Sequence, residues 1–560
     1  MSSGEAISIM KKLFKSIPLV MLGLALAACG NEDATNSDNT VDTGDSKEET
    51  AQVVNYVAAQ EISGLDSVLI SDTNTSSYVG HIQEGLYWED ENNEIEPALA
   101  EDLPEISEDG LTYTIKMRED AQWENGDPIT ADDFVFAVQR LVDPNVGASF
   151  SYLAESIVNA NDIIAGETAV EELGVTALDE YTVEIQLIQP TPYLLNILAF
   201  SPMYPQNRAY VEEQGEEYGT TSETVISSGP YTIEGWDAAA QSWVFEKNEN
   251  YYNADEIAID TINVQVIKEV TTNVNLYEAG EVDNAILQGE LARQYAEHPD
   301  LVQTEKAGTM YIYFNYENEY FQNENLRAAI NRAINSEELA DSVLGDGSQP
   351  LVSFVPRNFI FNPETETDFV DDLGIASQFD EDLATEYWEE AQAELGVDEI
   401  QLNLLASDTE SVRTVTEYIQ GQIQSTLPGV SVSLQNVPTK NRIEQSRSGD
   451  FDLLVAGWVA DYADGLNFLQ VLQSESNYNY GRYSNEVYDV EYAAAETEYA
   501  GNPEERFQSM LDGHSILTQD TAFVPLYQSV STQLRNPRVK GLTLRPVGNE
   551  FDFRTAYVEE

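Results

Sequence analysis

The sequence predicts an α/β architecture divided into more than one lobe, on three observations. Stretches with strand periodicity alternate along the chain with stretches of helical periodicity, the mixture expected of α/β lobes and not of a sandwich or a helical bundle. No fixed-period repeat recurs, which sets aside a solenoid or a propeller. At 560 residues the chain exceeds a single core and has room for about three or four domain-sized units, hence for a deep cleft between lobes.

The N-terminus reads as an address. Met10-Lys11-Lys12-Leu13-Phe14-Lys15 is basic, Ile17 to Ala28 is apolar but too short for a membrane span, and Cys29-Gly30 follows. Leu26-Ala27-Ala28-Cys29 matches the bacterial lipobox, so residues 1–29 are expected to be a signal peptide and Cys29 the lipidated residue. Translation from Met10 is the more natural start, which makes Met1 to Ile9 an upstream extension. Cys29 is also the only Cys, which excludes disulfides. Residues 30–50 are rich in Asn, Asp, Glu, Ser and Thr with almost nothing to bury, and read as a disordered tether. No later apolar stretch approaches spanning length.

Asp and Glu total 100 against 26 Lys and Arg, a formal charge of −74 spread over the whole chain. Such a chain has nothing with which to neutralise phosphates, so nucleic acid is excluded as a partner. The acidity has two readings: self-solvation in salty or alkaline surroundings, which the even spread favours, or steering of cationic ligands.

Val53 to Val57 reads as the first strand, followed by a polar segment from Ser71 to Ser77 and apolar spacing from His81 to Trp88. Leu111 to Arg118 alternates strictly, as a half-buried strand does, and Asn125-Gly126-Asp127-Pro128 is a turn. Thr130 caps a helix with Asp133 at the third position, Phe134, Ala137, Val138 and Leu141 form its apolar face, and Pro144 ends it. Tyr181, Val183, Ile185 and Leu187 make a further strand, with a short helix after Pro190 and Pro192. Tyr231 to Ile233, Trp243 to Phe245 and Ile262 to Ile267 continue as strands, and Tyr277 to Asp283 closes a helix and enters another. Met310 to Asn315 is an aromatic strand. Helices follow with Leu326, Ile330 and Ala333 inward, with a start at Ser336, and with Val412, Val415, Ile419 and Ile423 on one face. After the strand Val430, Val432, Leu434 comes the apolar stretch Phe451 to Gly457, read as a buried strand that sets Asp461 at its mouth beside Trp458 and Tyr462. A carboxylate there suits gripping a cation such as an amino terminus, while an Asx-type turn before Asp464-Gly465 explains the same residues structurally. A last helix starts at Asn502-Pro503, with Phe507, Leu511, His514 and Leu517 on one face.

Catalytic motifs are sparse. His81, His298 and His514 are the only histidines and cannot be grouped by spacing, so no metal is expected; His514 on an apolar face reads as a satisfied core residue. No Gly-Lys-Ser phosphate loop occurs. Carboxylate pairs are too abundant to point to a glycosidase. The expectation is a non-enzyme without cofactor, with a surface hydrolase or adhesin as minor alternatives.

AEDLPEISEDGLTYTIKMREDAQWENGDPITADDFVFAVQR, residues 100–140, resembles the diagnostic segment of the large solute-binding proteins that serve peptide ABC importers. Ser228-Gly229-Pro230-Tyr231, YEAGEVD, NLRAAINRAIN and GWVADYADGLNFL follow in that family's order, over about residues 51 to 560. The resemblance implies a two-lobed periplasmic-binding-protein-like fold with a hinge, of the large peptide-binding subtype with an extra domain: lobe I from 51–92, 225–309 and 531–560, the extra domain from 93–224, and lobe II from 310–530. It implies a peptide enclosed in a strand-like manner between closing lobes. Asp461 matches the residue holding the peptide's amino terminus, and Trp458 with the backbone of Ala456, Gly457, Val459 and Ala460, beside Tyr462, matches the strand along the peptide. Ser71-Asp72-Thr73 resembles the facing segment, Tyr527 a pocket wall, and Phe150 or Tyr152 a further aromatic contact. One departure stands out. Where relatives that prefer short peptides place basic residues for the peptide carboxylate, this chain has Ser446 and Val455; Arg442 and Arg447 lie nearby, and a solvated surface role suits both as well. The resemblance thus implies a monomeric, lipid-anchored receptor on the extracellular face of a Gram-positive cell membrane, handing oligopeptides to ABC permease subunits. A dipeptide, signalling peptide, nickel complex or oligosaccharide is the alternative ligand on the same scaffold.

Overall fold

The computed structural model describes residues 51–90 and 94–559, so the expected signal peptide, Cys29 and the tether lie outside the described residues. Strand β1 (Val53–Ala58) is followed by helix α1 (Thr73–Ile82) and by β2 (Glu105–Ile106) and β3 (Thr112–Lys116). Helix α2 (Ala131–Val142) starts where foreseen: the Asp133 carboxylate accepts the Thr130 N–H at 2.9 Å, and Phe134, Ala137, Val138 and Leu141 are fully buried. Next come β4 (Val175–Asp179), β5 (Thr182–Gln186), β6 (Tyr231–Glu234), β7 (Ser242–Lys247), β8 (Thr261–Val266), α3 (Val270–Glu278), β9 (Asn284–Ile286) and β10 (Leu301–Phe314). The chain continues through α4 (Glu324–Ala333), β11 (Ile400–Ser407), α5 (Glu410–Thr426), β12 (Val430–Val437), α6 (Thr439–Ser448), β13 (Leu453–Val459), α7 (Pro503–Gln519) and β14 (Phe523–Arg535).

Three sheets organise these elements. One has the order β1-β8-β7-β6, with β1 and β8 parallel, and a second has the order β2-β3-β5-β4. Both contribute to a single continuous core, together with α1, α2 and the C-terminal residues Val539, Phe551 and Phe553. The expected extra domain therefore shares its core with lobe I. The third sheet runs β9-β14-β10-β13-β11-β12. On β10 and β13, Ile312, Phe314, Leu453 and Val455 enter one core, and Tyr311, Tyr313, Leu454 and Ala456 enter another on the opposite face. Burial on both faces is why this stretch reads as unbroken apolar sequence instead of an alternation.

The long strands β10 and β14 cross the expected edges of lobe II. The boundaries expected at 309/310 and 530/531 fall inside them, and their pairing is interrupted by a register shift between Glu305 and Thr309. Beside them, Asn284 accepts the Val57 N–H at 2.7 Å, and Asp283 accepts the Asn55 N–H at 2.9 Å while pairing with Arg538. Among the described residues no helix is long and apolar enough to cross a membrane.

Candidate functional site

The site is built at the C-terminal end of β13. Along Gly308–Phe314 this strand pairs with β10, whereas β11 reaches it only at Leu453 and Leu454. Among the described residues no strand pairs with Val455–Val459 on the side away from β10, which leaves that edge's backbone N–H and C=O groups open to another extended chain. Gly457 keeps the strand slim, since a Cβ there would lie 2.4 Å from Met310 Sδ.

Beyond the strand, Ala460 is anchored by its N–H to the Ala307 carbonyl at 2.9 Å, and the chain turns through Asp461 and Tyr462. Asn467, fully buried at the start of a helical turn, fixes the arrangement. Its Oδ1 accepts the Trp458 indole N–H at 2.8 Å and the Asp461 backbone N–H at 3.4 Å. Its Nδ2 is buried without a hydrogen-bond acceptor. The half-buried Asp461 carboxylate accepts the Tyr152 hydroxyl at 2.5 Å. Burial pushes its pKa up to about 6 against the pull of the Tyr152 hydroxyl bond.

Aromatic side chains from both halves close around this carboxylate. Tyr478 meets Trp458 edge-on at 4.7 Å and Tyr152 at 6.4 Å, and Phe150 packs 6.1 Å from Tyr152 and 5.4 Å from Phe200. Tyr462 stacks on Tyr193, and the next carboxylate, Asp464, takes both arms of the Arg506 guanidinium at 2.8 Å in a buried pair. The cavity that Asp461 lines, with Phe200, Asn196, Glu89 and Asn549, measures about 20 Å³, room for about one water. The arrangement is a closed grip, and a larger ligand requires its walls to part.

Trp458, Ala460, Asp461, Tyr462, Phe150 and Tyr152 thus come together, with Ala456, Gly457 and Val459 on the open edge. Ser71, Asp72 and Thr73 lie at the start of α1: Asp72 is its N-cap, accepting the Thr75 N–H at 2.8 Å, and Ser77 and Gly80, further along that helix, line the cavity. Tyr527 opposes Met310 and packs into the core on the sheet face opposite Trp458. Asn467, Tyr478 and Tyr193 were not singled out from sequence: Asn467 lies within the GWVADYADGLNFL motif, but nothing in its residue type marks a buried amide as the brace of Trp458 and Asp461. His514 is a core residue as read, its Nε2 accepting the Phe354 N–H at 2.8 Å. Among the described residues no cluster of His, Cys, Asp or Glu is disposed to hold a metal.

Residues 94–480 match the profile of the bacterial extracellular solute-binding proteins, family 5. A dipeptide-binding protein of Lactococcus lactis subsp. cremoris is 29% identical, over 97% of this chain and 98% of its own length. Among solved structures, Listeria monocytogenes OppA bound to peptide superposes with a TM-score of 0.80 at 36% identity, covering 91% of this chain and 99% of that one. The pheromone receptor PrgZ superposes with a TM-score of 0.81 at 34% identity, covering 91% of this chain and 100% of that one.

Proposed function

The chain belongs to the bacterial extracellular solute-binding proteins of family 5, and from that premise we propose that it captures oligopeptides between its two halves and delivers them to the permease of an ABC importer. The observation that carries this reading is the open edge of Val455–Val459 ending at the Asp461 carboxylate, half-buried and gripped by Tyr152. An extended peptide adding to that edge satisfies the free backbone groups whatever its side chains, and its ammonium group meets Asp461. Relatives that bind a dipeptide or act as a pheromone receptor make a dipeptide or a signalling peptide the second reading.

Mass spectrometry of whatever leaves the purified protein on denaturation tests both. Peptides of several residues support the first reading, a dipeptide or one defined sequence the second, and a non-peptide solute overturns both. Incubation with a peptide library is expected to return every peptide intact, as befits a receptor and not a peptidase.

The proposal extends to location: Cys29 carries lipid and holds the receptor at the outer face of a Gram-positive cell membrane. Cells fed a labelled fatty acid should label the protein, and Cys29→Ser should abolish the label. Persistent labelling of that variant would remove Cys29 from the role.

A further inference from the structure

The described residues form a second cavity at the far end of the sheet from Asp461. Along the β10–β13 pairing Gly308 opposes Val459 and Phe314 opposes Leu453, so its two ends lie about 20 Å apart at ~3.3 Å per residue. Asp461 follows Val459 at one end. At the other, Thr521 leads into Phe523, which opposes Tyr313. Buried Arg327 ties α4 to this end: its Nε and Nη2 donate to the Asp520 carbonyl at 3.2 and 2.7 Å. The cavity between α4 and the end of α7 measures about 340 Å³, against about 20 Å³ beside Asp461, and the two share no residue.

Thr521 stands on its wall in a costly conformation. The end of α7 closes with the Ala522 N–H donating to the Leu517 carbonyl at 2.9 Å, and Thr521 takes φ 47°. The helix Glu381–Leu395 and α6 close in the same way, Val397 donating to Gln392 and Asp450 to Gln445, and there the left-handed residue is Gly396 or Gly449. A β-branched residue is strained in that region, and strain kept where glycine serves the same turn elsewhere points to a use for the side chain. What Thr521 has and glycine lacks is a hydroxyl group.

The rest of the lining is polar and mixed. The outward stripe of α4 supplies Glu324, Asn325, Asn331 and Arg332, while Leu326, Ile330 and Ala333 face the core. Gln378 and Gln519 add two more carboxamides, and a carboxamide both donates and accepts. Arg332 Nη1 donates to the Gln378 carbonyl at 3.2 Å, and among the described residues no carboxylate pairs with this guanidinium. An anion entering the cavity meets Glu324 and Asp520, and a cation meets Arg332. An apolar ligand strips the carboxamides of water and gives nothing back. Hydroxyl groups suit all of these partners, because each hydroxyl donates and accepts.

We infer that this cavity binds a neutral saccharide of about one or two rings, a size in keeping with the small end of ligand sites. None of its residues belongs to the peptide site, so the two stand or fall separately. A free sugar and the end of a glycan chain offer the same hydroxyl chemistry.

Saturation-transfer NMR on the intact protein tests this, with neutral mono- and disaccharides, soluble glycan oligomers, glycine and acetate as probes. At least one saccharide should give a saturable response, and glycine and acetate none at the same site. A response to the small sugars identifies a free solute as the source of the ligand, and a response to the oligomers alone identifies a glycan chain. Gln519→Trp, a bulky side chain at an exposed position on the rim, and Arg332→Ala should each weaken the response at least about 10-fold, with a urea midpoint near wild type showing that both are folded. Thr521→Gly should raise the urea midpoint and still weaken the saccharide. Asp461→Asn should leave the response unchanged. Silence from every saccharide, a response that survives all three cavity variants, or one that disappears in Asp461→Asn and so belongs to the peptide site, would overturn the assignment.

Discussion

Tyr193 stacks on Tyr462 with ring centroids 4.8 Å apart and planes 12° from parallel, joining the segment after Pro192 to the turn that carries Asp461. Arg506, held by Asp464, places its guanidinium 5.7 Å from the Tyr193 ring. The contact spans the two halves beside Asp461, so it acts on how long the grip stays closed. Aromatic stacking contributes about 0.5–1.5 kcal/mol beyond area burial. Tyr193→Ala should therefore speed release of a bound peptide by about 2- to 10-fold with little change in association rate, as read by stopped-flow fluorescence. An unchanged release rate would show that closure does not depend on this stack.

Asp461 titrates inside the working range. Its carboxyl, raised by burial to about 6, is mostly ionised at pH 7 and mostly protonated at pH 5. Only the ionised form pairs with an ammonium group, so affinity for a peptide with a free amino terminus should fall as pH drops through 6, by up to about 10-fold per unit below it. The N-acetylated peptide should show no such fall. Asp461→Asn should remove the pH dependence and weaken the free-amine peptide by about 10- to 100-fold, the loss expected for a charge-assisted hydrogen bond. Equal loss for both peptides would take Asp461 out of the amino-terminus role.

Much of the fold was legible because it rests on local signals. The Thr130–Asp133 cap, the buried face of α2 and the two-sided burial of β13 are each written in a few neighbouring residues. The site was legible only as far as its motif extends. Trp458 and Asp461 share one short stretch, whereas Tyr152 and Tyr193 reach them from segments far away in sequence, and no periodicity encodes that meeting. That Ser71-Asp72-Thr73 opens a helix was not legible from residue type, because Asp and Thr serve turns and helix caps alike; the Thr75 N–H bond to Asp72 shows the cap, and the helix carries Ser77 and Gly80 to the cavity.

The Asp464–Arg506 pair makes a sharper statement about stability than about binding. Both side chains are nine-tenths buried and joined by two bonds of 2.8 Å. Removing one partner strands the other's charge, so Asp464→Ala should cost about 3–5 kcal/mol, visible as a lower urea midpoint. The double variant Asp464→Leu/Arg506→Met removes both charges and should recover most of that loss. Additive losses in the double variant would mean that the two residues are not coupled as their geometry implies.

His514 offers a test in pH. Its ring is wholly buried, accepts the Phe354 N–H, and is held neutral by burial with a pKa pushed down to about 3. In the unfolded chain it takes up a proton near 6.5, so between about 3 and 6.5 the unfolded state binds the extra proton. Its contribution to stability is complete above 6.5 and is lost progressively as pH falls towards 3. Glu89, raised by burial, acts with the opposite sign: it holds a proton in the folded state that the unfolded state has released, and so favours folding at lower pH. The wild-type curve alone therefore mixes opposing slopes. The difference between wild type and His514→Gln isolates one of them, because Gln can still accept the Phe354 N–H but takes no proton. Urea unfolding at pH 4.5 and pH 7 should show the variant losing less stability on acidification, by up to about 1.4 kcal/mol per pH unit. Parallel curves for the two proteins would mean that His514 is protonated in the folded state.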